Sequence, residues 1–215
     1  IERTKRDHKL RIDAERFENA SAAIRDILPQ VMEAGSLDSL RGLEGAAASV
    51  YFEVFDDMIL RSKETFYYPP LDNVNAMLSF SYSLLAGSCA SALESVGLDA
   101  YVGFLHRDRP GRTSLALDLM EELRPCMADR FVLTLINNQV MRAEDFETAE
   151  NGAVLMTDMG RRKFLKSWQE RKQETITHPY LGEKLPWGLV PYMQALLLAR
   201  YLRRDLDAYP PFLWK

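Results

Sequence analysis

Three polar side chains, Ser114, Asp118 and Glu121, recur at i, i+4 and i+7 in the segment Ser114-Leu115-Ala116-Leu117-Asp118-Leu119-Met120-Glu121-Glu122-Leu123. On a helix that spacing draws one polar stripe down an otherwise apolar cylinder. Two carboxylates three residues apart on a buried stripe repel each other and lose hydration, so the arrangement calls for a cation or a basic partner. His106 precedes the segment by a short loop that can fold an imidazole back onto the stripe. An imidazole with carboxylates suits Mn²⁺ or Mg²⁺ better than the thiolate-rich sets of structural zinc. Neither Cys89 nor Cys126 has a second Cys or His at zinc-motif spacing. A third candidate ligand is Glu44, in Gly42-Leu43-Glu44-Gly45, because two helix-weakening glycines around a Glu suggest close approach of a backbone or ligand. Arg107, Arg109 and Arg112 surround the histidine and can grip a phosphodiester beside a metal. The bland readings are a surface Glu44, a structural His106 and a solvated face carrying Asp118 and Glu121.

The elements that must position these residues read as helices. Apolar residues from Phe17 to Val31 keep helical period, with Pro29 predicting a kink or break and Ser36 an N-cap. A second helix is expected from 37 to about 60, and Tyr67-Tyr68-Pro69-Pro70 reads as a loop. Asp72 or Asn73 opens a nearly all-apolar, central helix that runs to about Val96, with Gly97 as its left-handed stop. Further helices are expected from Ser114, over 129–138 and over 186–201, with an extended apolar tail at 209–215. Basic residues from Arg161 to Lys172 either track phosphates, with Trp168 stacking, or form a solvated helix face. No hairpin is expected. The fold class is mainly α, with a linker and first-helix region at 1–34 and a helical domain at 35–215.

Composition narrows the function classes. The 215 residues are 47% apolar and 27% charged, as in ordinary globular proteins. Lys and Arg number 27 against 31 Asp and Glu, a net charge of −4, so nucleic-acid binding must use local patches. Two cysteines read as core residues of a reducing, cytoplasmic compartment, and no membrane segment is expected. Walker-type and Gly-x-Gly-x-x-Gly loops are absent. The opening Ile1-Glu2-Arg3-Thr4-Lys5-Arg6 reads as the middle of a longer protein.

Taken in order, Gly42-Leu43-Glu44-Gly45, Asn75-Ala76-Met77-Leu78-Ser79-Phe80-Ser81-Tyr82-Ser83-Leu84-Leu85, Gly103-Phe104-Leu105-His106 and the 114–121 segment closely resemble the CRISPR-associated integrase family, over nearly the whole chain. The tail from Asp205 resembles the branch that accompanies type I-C systems. The resemblance implies a metal-dependent endonuclease that inserts spacers into CRISPR arrays. It implies a helical catalytic domain that follows a β-rich N-terminal domain absent from this chain. Metal ligands are then Glu44, His106 and Glu121, with Asp118 auxiliary and Asn75, Ser79 and Tyr82 as supports. Implied partners are prespacer and repeat DNA, a second copy of the full-length protein and a small ferredoxin-like companion. The alternative is a catalytically silent helical scaffold that binds DNA or a partner, in which Asp118 and Glu121 pair with arginines such as Arg124 or Arg130.

Overall fold

A computed structural model describes residues 1–60, 70–107 and 109–214. Two compact units divide the chain, residues 1–62 and residues 63–215.

In the first unit, α1 (Glu2–His8) and α3 (Leu37–Glu53) pack against α2 (Ala14–Glu33) or follow it. The Asp13 carboxylate starts α2 by accepting the Glu15 and Arg16 N–H groups, both at 3.1 Å. Phe17, Ala20 and Ser21 then bury one face. Pro29 does not break the helix as expected: it lies exposed near the C-terminal end, and the helix closes only at Glu33. A proline there removes one N–H, but the remaining turn retains its other bonds. Ser36 caps α3 as expected, accepting the Ser39 N–H at 3.1 Å. That helix ends at Glu53, short of 60. The Arg16 guanidinium takes the Glu53 carbonyl at 2.7 Å and pairs with Asp57, and a 3₁₀ turn, Asp56–Met58, follows. Terminal carbonyls of a helix need such partners.

The second unit is built on α4 (Pro70–Ser95), against which α5 (Ser114–Leu123), α6 (Arg130–Asn137) and α8 (Val190–Leu202) pack. Of the expected 67–70 loop, residues 67–69 lie outside the described residues, and Pro70 is the first residue of α4, where its missing N–H costs nothing. From Asn73 to Ser95 this helix is long and apolar enough to cross a membrane by length and composition. Within the unit, however, Val74, Met77, Leu78, Leu85, Cys89 and Leu93 are buried among its neighbours, the position of a central core helix. Gly97, at φ +81°, follows its end as expected. Burial raises the Cys89 and Cys126 thiols to about 12, and both are unpaired to sulfur.

The fold is mainly α as expected, but two antiparallel hairpins correct the expectation that there would be none. β1 (Phe146–Thr148) pairs with β2 (Val154–Met156), and β3 (Thr175–Thr177) with β4 (Lys184–Pro186). Strands of three residues are too short to show alternation, although Asn151-Gly152, with Gly152 at φ +81°, is a turn signal. Between the hairpins runs α7 (Asp158–Gln173), which carries the basic cluster. Its first turn sits so close to Asp145 that a Cβ on Gly160 would lie 2.3 Å from the Asp145 carbonyl oxygen. The buried Asp145 carboxylate also holds Lys163, both oxygens at 2.7 Å. Trp168 does not stack on a base as one reading of that cluster required. It is 3% exposed, edge-on to Phe131 with centroids 5.1 Å apart.

The C-terminal tail is pinned by a buried polar network. His178 accepts the Tyr180 and Leu181 N–H groups on Nδ1, both at 3.3 Å, so Nε2 carries the proton that meets Gln194 Oε1 at 3.0 Å. Gln194 Nε2 donates in turn toward Glu122, the Tyr209 hydroxyl and the Pro210 carbonyl, while Glu122 also accepts the Phe212 N–H at 2.9 Å. Burial lowers the His178 pKa below its ordinary 6.5, against a smaller opposing effect of Gln194. Above that pH the ring is neutral in both folded and unfolded chains. Below it the unfolded chain takes up a proton that the fold resists, so stability falls by up to about 1.4 kcal/mol per pH unit and levels off below the folded-state value. His178→Asn, which retains an acceptor for the two N–H groups, is expected to cost about 1–2 kcal/mol at pH 8 and to flatten this acid limb in denaturant titrations. An unchanged limb would mean that other groups produce it.

Candidate metal and DNA site

α5 begins where the preceding chain folds back on it. The Leu115 and Ala116 N–H groups donate to the Ala100 carbonyl at 3.0 and 3.3 Å, meeting first-turn donors that no side chain caps. The Ser114, Asp118 and Glu121 stripe is present, with Ser114 buried and the two carboxylates 12% and 30% exposed.

Residues 103–107 close over the stripe. The Phe104 and Leu105 N–H groups donate to Asp118 Oδ2 at 2.5 and 3.0 Å, and the His106 N–H donates to Oδ1 at 2.9 Å. Three successive amides on one carboxylate form an anion-binding concavity filled by the protein's own side chain. The Ser114 hydroxyl donates to the Arg107 carbonyl at 3.2 Å, a second tie one turn earlier. Gly103 permits the approach: a Cβ there would meet Ser114 Cβ at 2.7 Å and Asp118 Oδ2 at 3.0 Å. The His106 ring adds the last contact, Nδ1 to Asp118 Oδ1 at 2.6 Å. Because those oxygens already accept backbone N–H groups, Nδ1 is the protonated nitrogen and Nε2 presents its lone pair.

Glu121 goes elsewhere. Both its oxygens accept from Arg124 Nη1, at 2.9 and 3.1 Å. That guanidinium lies over the Tyr82 ring, 4.7 Å from its centroid, and the Tyr82 hydroxyl donates to Asp129 at 2.6 Å. Burial first, and the Asp129 carboxylate second, hold the Tyr82 phenol above its ordinary range, so it remains a donor. Arg124 and Asp129 bound a π-helical turn, Arg124–Asp129, that joins α5 to α6. Such turns widen the helix and concentrate at functional sites.

The remaining candidates are distributed. Asn75 and Ser79 are exposed on α4 and line an open groove of about 640 Å³ with Ser83, the β2 strand and Arg161. Tyr82 belongs to the Glu121 network instead. Arg107 and Arg109 are exposed and Arg112 half-buried on the loop that carries His106, whose neighbour Asp108 lies outside the described residues. Glu44 is exposed on α3 of the first unit, where a Cβ on Gly42 or Gly45 would meet nothing within 4 Å, so these glycines are not explained by close packing there. Among the described residues of the second unit, no three His, Cys, Asp or Glu side chains form a metal-sized cluster. The donor chemistry nevertheless fits a hard divalent cation: an imidazole braced by a carboxylate, a second half-buried carboxylate and no thiolate. Asp118, with both oxygens engaged by N–H donors, fits the brace and not the ligand. The sequence brings His106 to the stripe but gives no sign of the three loop amides on Asp118, nor of the partners of Asp129 and Glu122. Only the i, i+3 spacing of Glu121 and Arg124 announces a pair in advance.

The family described as CRISPR associated protein Cas1 matches residues 1–170. The CRISPR-associated endonuclease Cas1 2 of Rhodospirillum rubrum is 59% identical over 83% of this chain and 54% of its own length. The CRISPR-associated endonuclease Cas1 1 of Chlorobaculum tepidum is 48% identical over all of this chain and 64% of its own. The chain thus spans between about half and two thirds of these relatives. A casposase solved bound to an integration product superposes with a TM-score of 0.77 at 27% identity, over 93% of this chain and 65% of the casposase.

Asp118→Asn is expected to leave N–H donors facing an amide with one acceptor oxygen. The fold should lose about 2–3 kcal/mol, and the amides of residues 104–106 should exchange with solvent at nearly unstructured rates. Continued protection of those amides would show that another contact holds the loop.

Proposed function

The chain belongs to the Cas1 family of CRISPR-associated proteins, and on that premise we propose that it carries the metal-dependent catalytic centre of a DNA endonuclease and integrase that inserts spacers into CRISPR arrays. The observation that carries the reading is the His106–Asp118 pair, which leaves Nε2 with its lone pair on a loop bearing Arg107, Arg109 and Arg112. His106, Glu121 and Glu44 would hold Mg²⁺ or Mn²⁺. Bound there, such an ion polarises a phosphodiester oxygen and offsets charge that develops during in-line displacement. The chain's own residues do the rest. Asp118 fixes the imidazole tautomer and direction, the loop arginines meet phosphate oxygens, and Tyr82 steadies Arg124 beside Glu121. The nucleophile in integration is a DNA 3′-hydroxyl, and in hydrolysis it is water. The integration product bound to the related casposase supports the first of these. Of the two helix carboxylates, Glu121 is the ligand, since Asp118 is occupied by the loop. Prespacer and repeat DNA, a second copy and a small ferredoxin-like companion complete the proposed assembly, in the cytoplasm.

The Glu121–Arg124 pair favours a second reading, a silent scaffold in which an arginine replaces the metal. Mn²⁺ titration and a strand-transfer assay on the same preparations, assembled with companion protein and DNA, separate the two. Glu44→Ala, His106→Ala and Glu121→Ala should each lower strand transfer by about a hundredfold or more with unchanged circular dichroism. Wild-type activity in all three would sink the metal-centre reading.

A further inference from the structure

Arg124 already supplies the positive charge that the buried stripe requires. Its side chain is 23% exposed, its guanidinium lies over the Tyr82 ring, and one of its nitrogens is shared between both Glu121 oxygens. Tyr82 is fixed in turn by the buried Asp129, so this cation is anchored and not a wandering surface side chain. The pairing lacks the two-nitrogen fork that makes arginine–carboxylate pairs strongest. It is therefore a bond that a divalent ion can exchange, by turning the carboxylate without moving the arginine far. After the exchange, Arg124 and the new ion are like charges flanking one carboxylate and repel each other. An arriving phosphodiester oxygen relieves that repulsion, because an anion between two cations attracts both.

We propose that Arg124 is a positioning residue that acts as a resident cation for Glu121, keeping divalent-ion affinity low until DNA phosphate arrives and thereby coupling metal occupancy to substrate. The inference rests on the metal-centre reading of Glu121, and it adds a regulatory role for a residue outside the ligand set. By linkage, DNA raises metal affinity and metal raises DNA affinity by the same factor.

The test is Mn²⁺ binding, followed by the electron paramagnetic resonance of free ion, with and without a short DNA duplex. In the wild type, DNA should tighten Mn²⁺ binding. In Arg124→Gln, Mn²⁺ alone should bind about tenfold tighter, as expected for removing an adjacent positive charge, and the added effect of DNA should shrink. Arg124→Lys, which retains the charge, should resemble the wild type. Unchanged or weaker binding by folded Arg124→Gln would overturn the inference while leaving the metal centre standing. Binding that survives both His106→Ala and Glu121→Gln would instead place the ion elsewhere and overturn both. Should Arg124→Gln unfold, Mg²⁺ titration of the wild type followed by the ¹⁵N–¹H signal of the Arg124 side chain decides. A shift that saturates with metal binding supports the exchange, and a stationary signal refutes it.

Discussion

A mostly buried carboxylate facing N–H groups from one loop is the constraint on which the rest of this site depends. Asp118 is 12% exposed, and without partners its desolvation would cost several kcal/mol. The backbone of residues 104–106 and the His106 ring supply those partners, so the loop has one arrangement and not many. Everything nearby follows from that closure. Gly103 has no room for a side chain, Ser114 is buried with its hydroxyl on the Arg107 carbonyl, and three arginines are carried on the segment whose start is tied down. An imidazole delivered in this way has lost its rotamer entropy before any ligand arrives, which is the physical meaning of a preorganised site.

The same short helix organises two other segments through its remaining carboxylates. Glu121 reaches Arg124 and through it the Tyr82 ring on α4. Glu122 meets Gln194 of α8 and the Phe212 N–H of the tail. Three acidic residues within five positions thus hold three different parts of the second unit, and each is satisfied by a separate donor set. Like charges so close in sequence are tolerable because each carboxylate has its own cation or N–H donors. A single helix that fixes a loop, a π-helical turn and the C-terminal tail gives the site a rigid base. Wall and floor of the site consequently answer to one element, α5.

Much of this is legible in the sequence, and the rest depends on distances that a sequence does not contain. Helical periodicity finds the helices, Ser36 and Gly97 mark real boundaries, and the polar stripe stands out because its neighbours are Leu, Ala and Met. Partner assignment is different. Asp118 and His106 are 12 residues apart, and only the fold-back onto Ala100 brings them within 2.6 Å. Arg124 and Arg130 are both candidates in the sequence to pair with Asp118 or Glu121, until the π-helical turn and Tyr82 fix Arg124 on Glu121. Basic neighbours in sequence let Trp168 read as a base-stacking ring on a phosphate track or as part of a solvated helix face, yet α7 exposes Arg161, Arg162 and Lys166, ties Lys163 to Asp145 and turns the indole into Phe131. The hairpins escape notice because three residues per strand carry too little pattern. Pro29 misleads because a proline's effect depends on how much helix follows it.

The site turns on Asp118 holding His106 with Nδ1 protonated and Nε2 bare. Long-range ¹H–¹⁵N correlation of the imidazole rings in the metal-free protein at pH 8, with His106→Gln to assign the signal, tests it directly. A single, slowly exchanging Nδ1–H tautomer is expected for His106, lost in Asp118→Asn. An Nε2–H tautomer, or a freely averaging ring unaffected by Asp118, would contradict it.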